Sequence, residues 1–137
     1  MADDTTTAIF DLLAGDSVLP GLLADFQGEP GIFTMKTVPP DAARPYIWTY
    51  GEIANVEFSA KDIPGVEVTR DIWIVADETG DEDPVMTIAN RVRDLLHRAT
   101  LSIGKSNMST IARGPRIGMS GDDVTARIVT VDFIYEL

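Results

Sequence analysis

Between Val66 and Arg98 the chain changes its hydrophobic period once, and that change constrains how its centre folds. In VEVTRDIWIVA the apolar Val66, Val68, Ile72, Ile74 and Ala76 share one side of an extended chain, with Glu67, Thr69, Asp71 and Trp73 on the other. In VMTIANRVRDLLHR the spacing becomes helical. Val85, Ile88, Ala89, Val92, Leu95 and Leu96 form one stripe, and Asn90, Arg91, Arg93 and Asp94 take the wet side. The linking DETGDEDP ends in Asp83, placed as an N-cap, and Pro84, placed at the first helical position, where a missing N–H costs no hydrogen bond. A strand, an acidic turn and an amphipathic helix folding back on the strand are predicted.

At 137 residues the chain is expected to form one domain, residues 1–137, with roughly two thirds of its unfolded surface buried. It has no cysteine, so disulfides, thiolate metal ligands and a cysteine nucleophile are excluded, and a reducing compartment fits. MADDTTTAIFDLLAG has no basic region and no long apolar run, so neither a signal peptide nor a membrane span is read there, and the expectation is a soluble, cytoplasmic protein. With 11 Lys plus Arg against 22 Asp plus Glu, the formal net charge of -11 repels phosphate backbones and argues against nucleic-acid binding by the whole domain.

In chain order, Ala8, Ile9, Leu12 and Leu13 trace one face of a short helix over Thr5 to Ala14, ended by Gly15. Ser17 is placed to cap a second helical piece carrying Leu19, Leu22, Leu23 and Phe26. GIFTMK reads as a short strand, VPPDAARP as an extended loop, and YIWTYGEI as a strand rich in aromatic and β-branched residues. Residues 54–65 then lead round to the strand beginning at Val66, making the two strands antiparallel neighbours. After the helix, Leu101 to Ile111 reads as a short strand and ARGPRIGMSGDD as a hairpin with a mobile tip. VTARIVTVDFIYEL, without Gly or Pro and apolar on both faces, is expected inside the sheet or under a partner subunit.

Few constellations suggest chemistry. Ala99, four residues, then Gly104, Lys105 and Ser106 match a permissive phosphate-loop pattern, but such a loop must leave a strand and enter a helix, and here a helix precedes it. Asp77, Glu78, Asp81, Glu82 and Asp83 crowd one turn without the spacing of a helix-loop-helix calcium site, and a solvated helix N-terminus accounts for them. His97 is the only histidine, placed to interact with the helix C-terminus. Asp122 and Asp123 lie in a glycine-rich turn, and no serine has a nucleophile setting. No catalytic residue, cofactor site or metal site is assigned. Lys105, Arg113 and Arg116 concentrate positive charge in an acidic chain, marking a candidate contact surface for the acidic Asp77, Asp81, Glu82 and Asp83 of another subunit.

AIFDLLAGDSVLPGLLADF, PYIWTYGEI, VTRDIWIVADETGDEDPVMTIANRVRDLLHRA and VTARIVTVDFIYEL, in that order and spacing, resemble the tail-terminator family of long-tailed phages and gene transfer agents, also called tail-completion or tail-to-head joining proteins. GKSNMSTIARGPRIGMSGDD departs from that likeness. The resemblance implies an α+β fold, a mostly antiparallel sheet with one long and one or two short helices packed against it, and a structural virion protein. It further implies a hexameric ring that caps the tail tube at its head-proximal end, stops polymerisation and joins the head connector, after assembly in the host cytoplasm. DNA would pass through without specific binding, and no membrane is involved. A small P-loop-like NTPase and a generic acidic adaptor are the alternatives.

Overall fold

The computed structural model describes residues 2–50, 54–60, 63–99, 107–121 and 123–136. Two helices come first, α1 (Ala2–Ala14) and α2 (Leu19–Leu22), then four short strands, β1 (Asp25–Phe26), β2 (Glu29–Pro30), β3 (Ile32–Phe33) and β4 (Tyr46–Trp48). β5 (Ala54–Ala60), β6 (Ile63–Asp77), α3 (Asp83–Leu96), β7 (Asn107–Ser120) and β8 (Val124–Glu136) complete the described elements. The result is an α+β fold whose six-stranded sheet runs β3-β4-β6-β8-β7, with β5 also on β6. All pairings in that sheet are antiparallel except β3 with β4.

β6 organises the sheet as its alternation predicts. One edge pairs with β8 from Gly65↔Glu136 to Asp77↔Val124. The other is shared, by β5 along Ile63–Thr69 and by β4 along Trp73–Val75. Residues 54–60 are thus a strand and not a mere connection. Of YIWTYGEI, β4 keeps only Tyr46–Trp48, and Gly51–Ile53 lie outside the described residues.

All three helices bury their apolar stripes on one face of the sheet. Ala8, Ile9 and Leu13 of α1, Leu19 of α2, and Val85, Ile88, Ala89, Val92 and Leu96 of α3 join Val66, Val68, Ile72, Ile74, Val129, Val131 and Phe133 in a single core. Leu95, expected in the stripe, is only partly buried at its margin. Arg70, fully buried, shares the parity of Val68 and Ile72 and so belongs to this apolar face.

Two caps differ from those expected. Asp16, not Ser17, opens α2, its Oδ2 accepting from the amides of Val18 at 3.2 Å and Leu19 at 2.8 Å. Asp83 is already helical, and its N–H is taken by Oδ1 of Asp81 at 3.0 Å, which satisfies a donor the first turn cannot use internally.

The larger correction concerns the glycine-rich stretch. Asn107–Ser120 is one strand of 14 residues, and the chain reverses between Ser120 and Val124, with Gly121 N–H donating to Val124 O at 2.9 Å. The expected hairpin in ARGPRIGMSGDD is instead continuous strand as far as Ser120: β7 lies at the sheet edge and the register shifts between Arg113 and Arg116, so Gly114 and Pro115 form a bulge. Gly114 has φ 100°, and a Cβ there would stand 2.9 Å from Ile128 O.

Candidate functional site

Side chains of odd-numbered β6 residues and even-numbered β8 residues point away from the helices, onto a sheet face that carries the basic residues singled out from sequence. Arg113 and Arg116 flank the β7 bulge and project there. Arg113 Nη2 lies 2.8 Å from Asp132 Oδ2, and Arg116 Nη2 lies 3.2 Å from Asp71 Oδ2. Each aspartate is also held by a cross-strand threonine, Thr69 Oγ1 donating to Asp132 Oδ1 at 2.7 Å and Thr130 Oγ1 to Asp71 Oδ1 at 2.6 Å. The register explains the arrangement, because Thr69 faces Asp132 and Asp71 faces Thr130 across the β6–β8 ladder. Both arginine side chains remain more than half exposed, at 60% and 57%, so each pair is worth about 0–1 kcal/mol. They neutralise Asp132 and Asp71 yet stay available for contact.

The acidic turn lies elsewhere, at the end of the sheet. Glu78 N–H donates to Asp123 O at 2.9 Å, tying it to the β7–β8 reversal. Asp77 pairs with Arg44 at 2.7 Å and Glu82 with Arg127 at 3.5 Å. Glu78 Oε1 accepts from Gly80 N–H at 2.9 Å, and Asp81 Oδ1 serves Asp83 N–H. These carboxylates satisfy the turn's own donors, and among the described residues no group of three or more potential ligands converges as a metal site. Asp83 has no ion-pair partner among the described residues. The structure brings Arg113 and Arg116 together and, separately, Asp77, Asp81, Glu82 and Asp83, but does not join the two sets within one chain.

Lys105 and the Gly104–Ser106 stretch lie outside the described residues, as does Asp122. The elements flanking that stretch are α3, ending at Leu96, and β7, beginning at Asn107. A phosphate loop needs the reverse order, strand then helix.

Sequence reasoning missed what the end of α3 does. Along the free edge of β7, Arg98 N–H donates to Thr110 O at 2.7 Å, Ala112 N–H donates to His97 Nδ1 at 3.2 Å, and Arg93 Nη1 donates to Gly114 O at 3.3 Å. These successive outward-pointing groups of an edge strand would otherwise invite another strand, and the helix end occupies them. Arg98 reaches its place through a left-handed φ of 63°. The single histidine is therefore an edge cap, its Nδ1 accepting from the backbone of β7.

Against known proteins, the family model described as tail completion protein gp17 matches residues 7–136. A comparison with curated protein sequences finds no match. Among solved structures, a chain from the virion of a native gene transfer agent particle superposes with a TM-score of 0.78 at 19% identity, covering 96% of this chain and 94% of that chain. At that identity the likeness speaks to the fold.

Proposed function

The chain belongs to the tail completion protein gp17 family, and on that premise we propose that it is a non-enzymatic structural component of a virion, acting as a ring at the head-proximal end of a tail. Six copies sit on the last ring of the tail tube, end its polymerisation and offer their far side to the head connector. The family match over residues 7–136 carries this reading.

The physical chemistry is compatible with it. A net charge of -11 per copy keeps passing DNA from adhering to the ring. An open sheet face with exposed arginines supplies contact area without a reaction centre. Lys105, Arg113 and Arg116 belong to the surface that one copy presents to the next, where acidic side chains of the neighbour offset the repulsion between copies.

Purified tail tubes with and without the protein, viewed by negative-stain microscopy, test the proposal. Tubes of uniform length bearing a terminal ring are expected, and unlimited elongation in the presence of excess protein refutes it. Replacing Arg113 and Arg116 together by serine is expected to shift folding stability by no more than about 2 kcal/mol in total, two exposed pairs at about 1 kcal/mol each, while abolishing capping.

A further inference from the structure

We infer that copies of this chain meet head to tail, with the β7 edge of one docked on the α1–β3 side of the next, Ile117 entering a recess lined by Thr6, Thr7, Phe10 and Thr34. The inference rests on the ring proposed above and names its contact.

The first observation is a row across the whole sheet. Ile117 pairs with Arg127, Arg127 with Ile74, Ile74 with Ile47, and Ile47 with Ile32. Ile117 is therefore level with Ile32, at the opposite edge. Ile74, Ile47 and Ile32 face the helix layer, so Ile117 stands on that same face, and it is 68% exposed. Two residues beyond Ile32, Thr34 joins Thr6, Thr7 and Phe10 of α1 around an open recess of about 230 Å³. Knob and recess thus lie within two residues of one level, on one face, at opposite edges of the sheet. Joining them repeats one operation from copy to copy, and such a heterologous contact gives a ring when the rotation between copies closes.

The second observation is charge. β7 contains Arg113 and Arg116 and no acid, while Arg93 and Arg98 at the end of α3 lie along the same edge. Arg98 has no ion-pair partner among the described residues. Across the sheet, Asp11 on α1, Asp25 and Glu29 on the β1–β2 hairpin, and Asp41 in the loop before β4 are all exposed, and none has an ion-pair partner among the described residues. A chain of net charge -11 repels its copies in most orientations, and this one sets its basic edge against an acidic side. The acidic turn fits less well, because Asp77 and Glu82 are engaged with Arg44 and Arg127.

The third observation is the capped edge. With Thr110 O, Ala112 N–H and Gly114 O taken by α3, the contact is made by side chains and not by extending the sheet.

Because the natural chain has no cysteine, cross-linking tests the geometry directly. Ile117→Cys with Thr7→Cys in one chain, oxidised in air with copper phenanthroline at high protein concentration, is expected to give a ladder of disulfide-linked multimers on a non-reducing gel. Circular dichroism melts establish that each variant is folded. A ladder from Ile117→Cys with Asp81→Cys and none from the first pair overturns the inference in favour of the acidic turn. Dimers alone from Ile117→Cys overturn it in favour of a two-fold contact, and monomers throughout overturn it outright. Capping of tail tubes by the natural protein without a ladder sinks this contact and leaves the ring. A ladder from protein that never caps tubes does the opposite.

Discussion

Asp16 and Arg91 are 75 residues apart and meet through two hydrogen bonds, Arg91 Nη2 to Oδ1 at 2.6 Å and Nε to Oδ2 at 3.0 Å. The same carboxylate opens α2, so one side chain joins the α1–α2 corner to the middle of α3. Its pKa is held far below the ordinary carboxylate range, first by the hydrogen bonds from Arg91 and then by the amides of Leu19 and Val18, against an opposing effect of desolvation.

That depression predicts the acid limb of stability. The unfolded carboxyl titrates near pH 3.9. A group with a lowered folded pKa contributes stability above that value and loses it as pH falls through the folded pKa. The urea midpoint of the natural protein should therefore drop progressively below about pH 4. Asp16→Asn should lower the midpoint at pH 7 and flatten the dependence below pH 4. Parallel curves for the two proteins would show that Asp16 is not the linked group.

Leu96 and Leu95 should separate sharply. Leu96 is fully buried in the core, whereas Leu95 lies partly exposed at its margin. Leu96→Ala is expected to cost about 2–5 kcal/mol and Leu95→Ala clearly less. Thermal melts decide it, and equal losses would mean that α3 is rotated from the facing described.

Gly118 is a packing glycine. A Cβ there would lie 2.7 Å from Ile128 Cγ1 and 2.9 Å from Trp73 Cζ3, in the small apolar patch on the open face. Gly118→Ala should destabilise by about 1–3 kcal/mol, as overpacking does. A melt unchanged from the natural protein would show that Ile128 and Trp73 yield without strain.

His97→Ala removes the acceptor for Ala112 N–H, at an expected cost of about 0.5–1.5 kcal/mol. The effect should be local. Hydrogen exchange at the Ala112 amide should accelerate while Arg98, bonded to Thr110 O, keeps its protection. No change at Ala112 would remove the imidazole from the edge cap.

Gly104, Lys105 and Ser106 should not bind nucleotide. Calorimetry with ATP and GTP is expected to show no micromolar binding for the natural protein. Binding that vanishes in Lys105→Ala would reverse that expectation and reopen the NTPase alternative.

The centre of the fold was legible because two long elements have unambiguous periods. The alternation around Ile72 and the stripe through Val92 each define a face, and the structure joins those faces. The burial of Arg70 was not legible: it has the parity of Val68 and Ile72, but a charge within an apolar alternation reads as an interruption and not as a buried member. β7 was not legible. Gly114 and Pro115 are locally turn residues, and only the edge position and the bulge, both tertiary facts, let the strand run through them. The basic side chains of the open face were half legible. Composition around Arg113 and Arg116 marked the cations, but their engagement with Asp132 and Asp71 depends on a register between distant strands.

The position of β8 bears on how the molecule is made. Its ladder with β6 spans thirteen pairs, and each closes a loop containing all of α3 and β7. Loop-closure entropy must be met before such contacts repay it, which slows folding relative to chains of local contacts. During translation β6 and α3 emerge well before the strand that lies between β6 and β7. The β6 and α3 faces can meet each other early, but the β8 part of the core is added only when residues 124–136 have been made. A chain lacking β8 leaves Val129, Val131 and Phe133 out of the core and β6 with one edge unpaired.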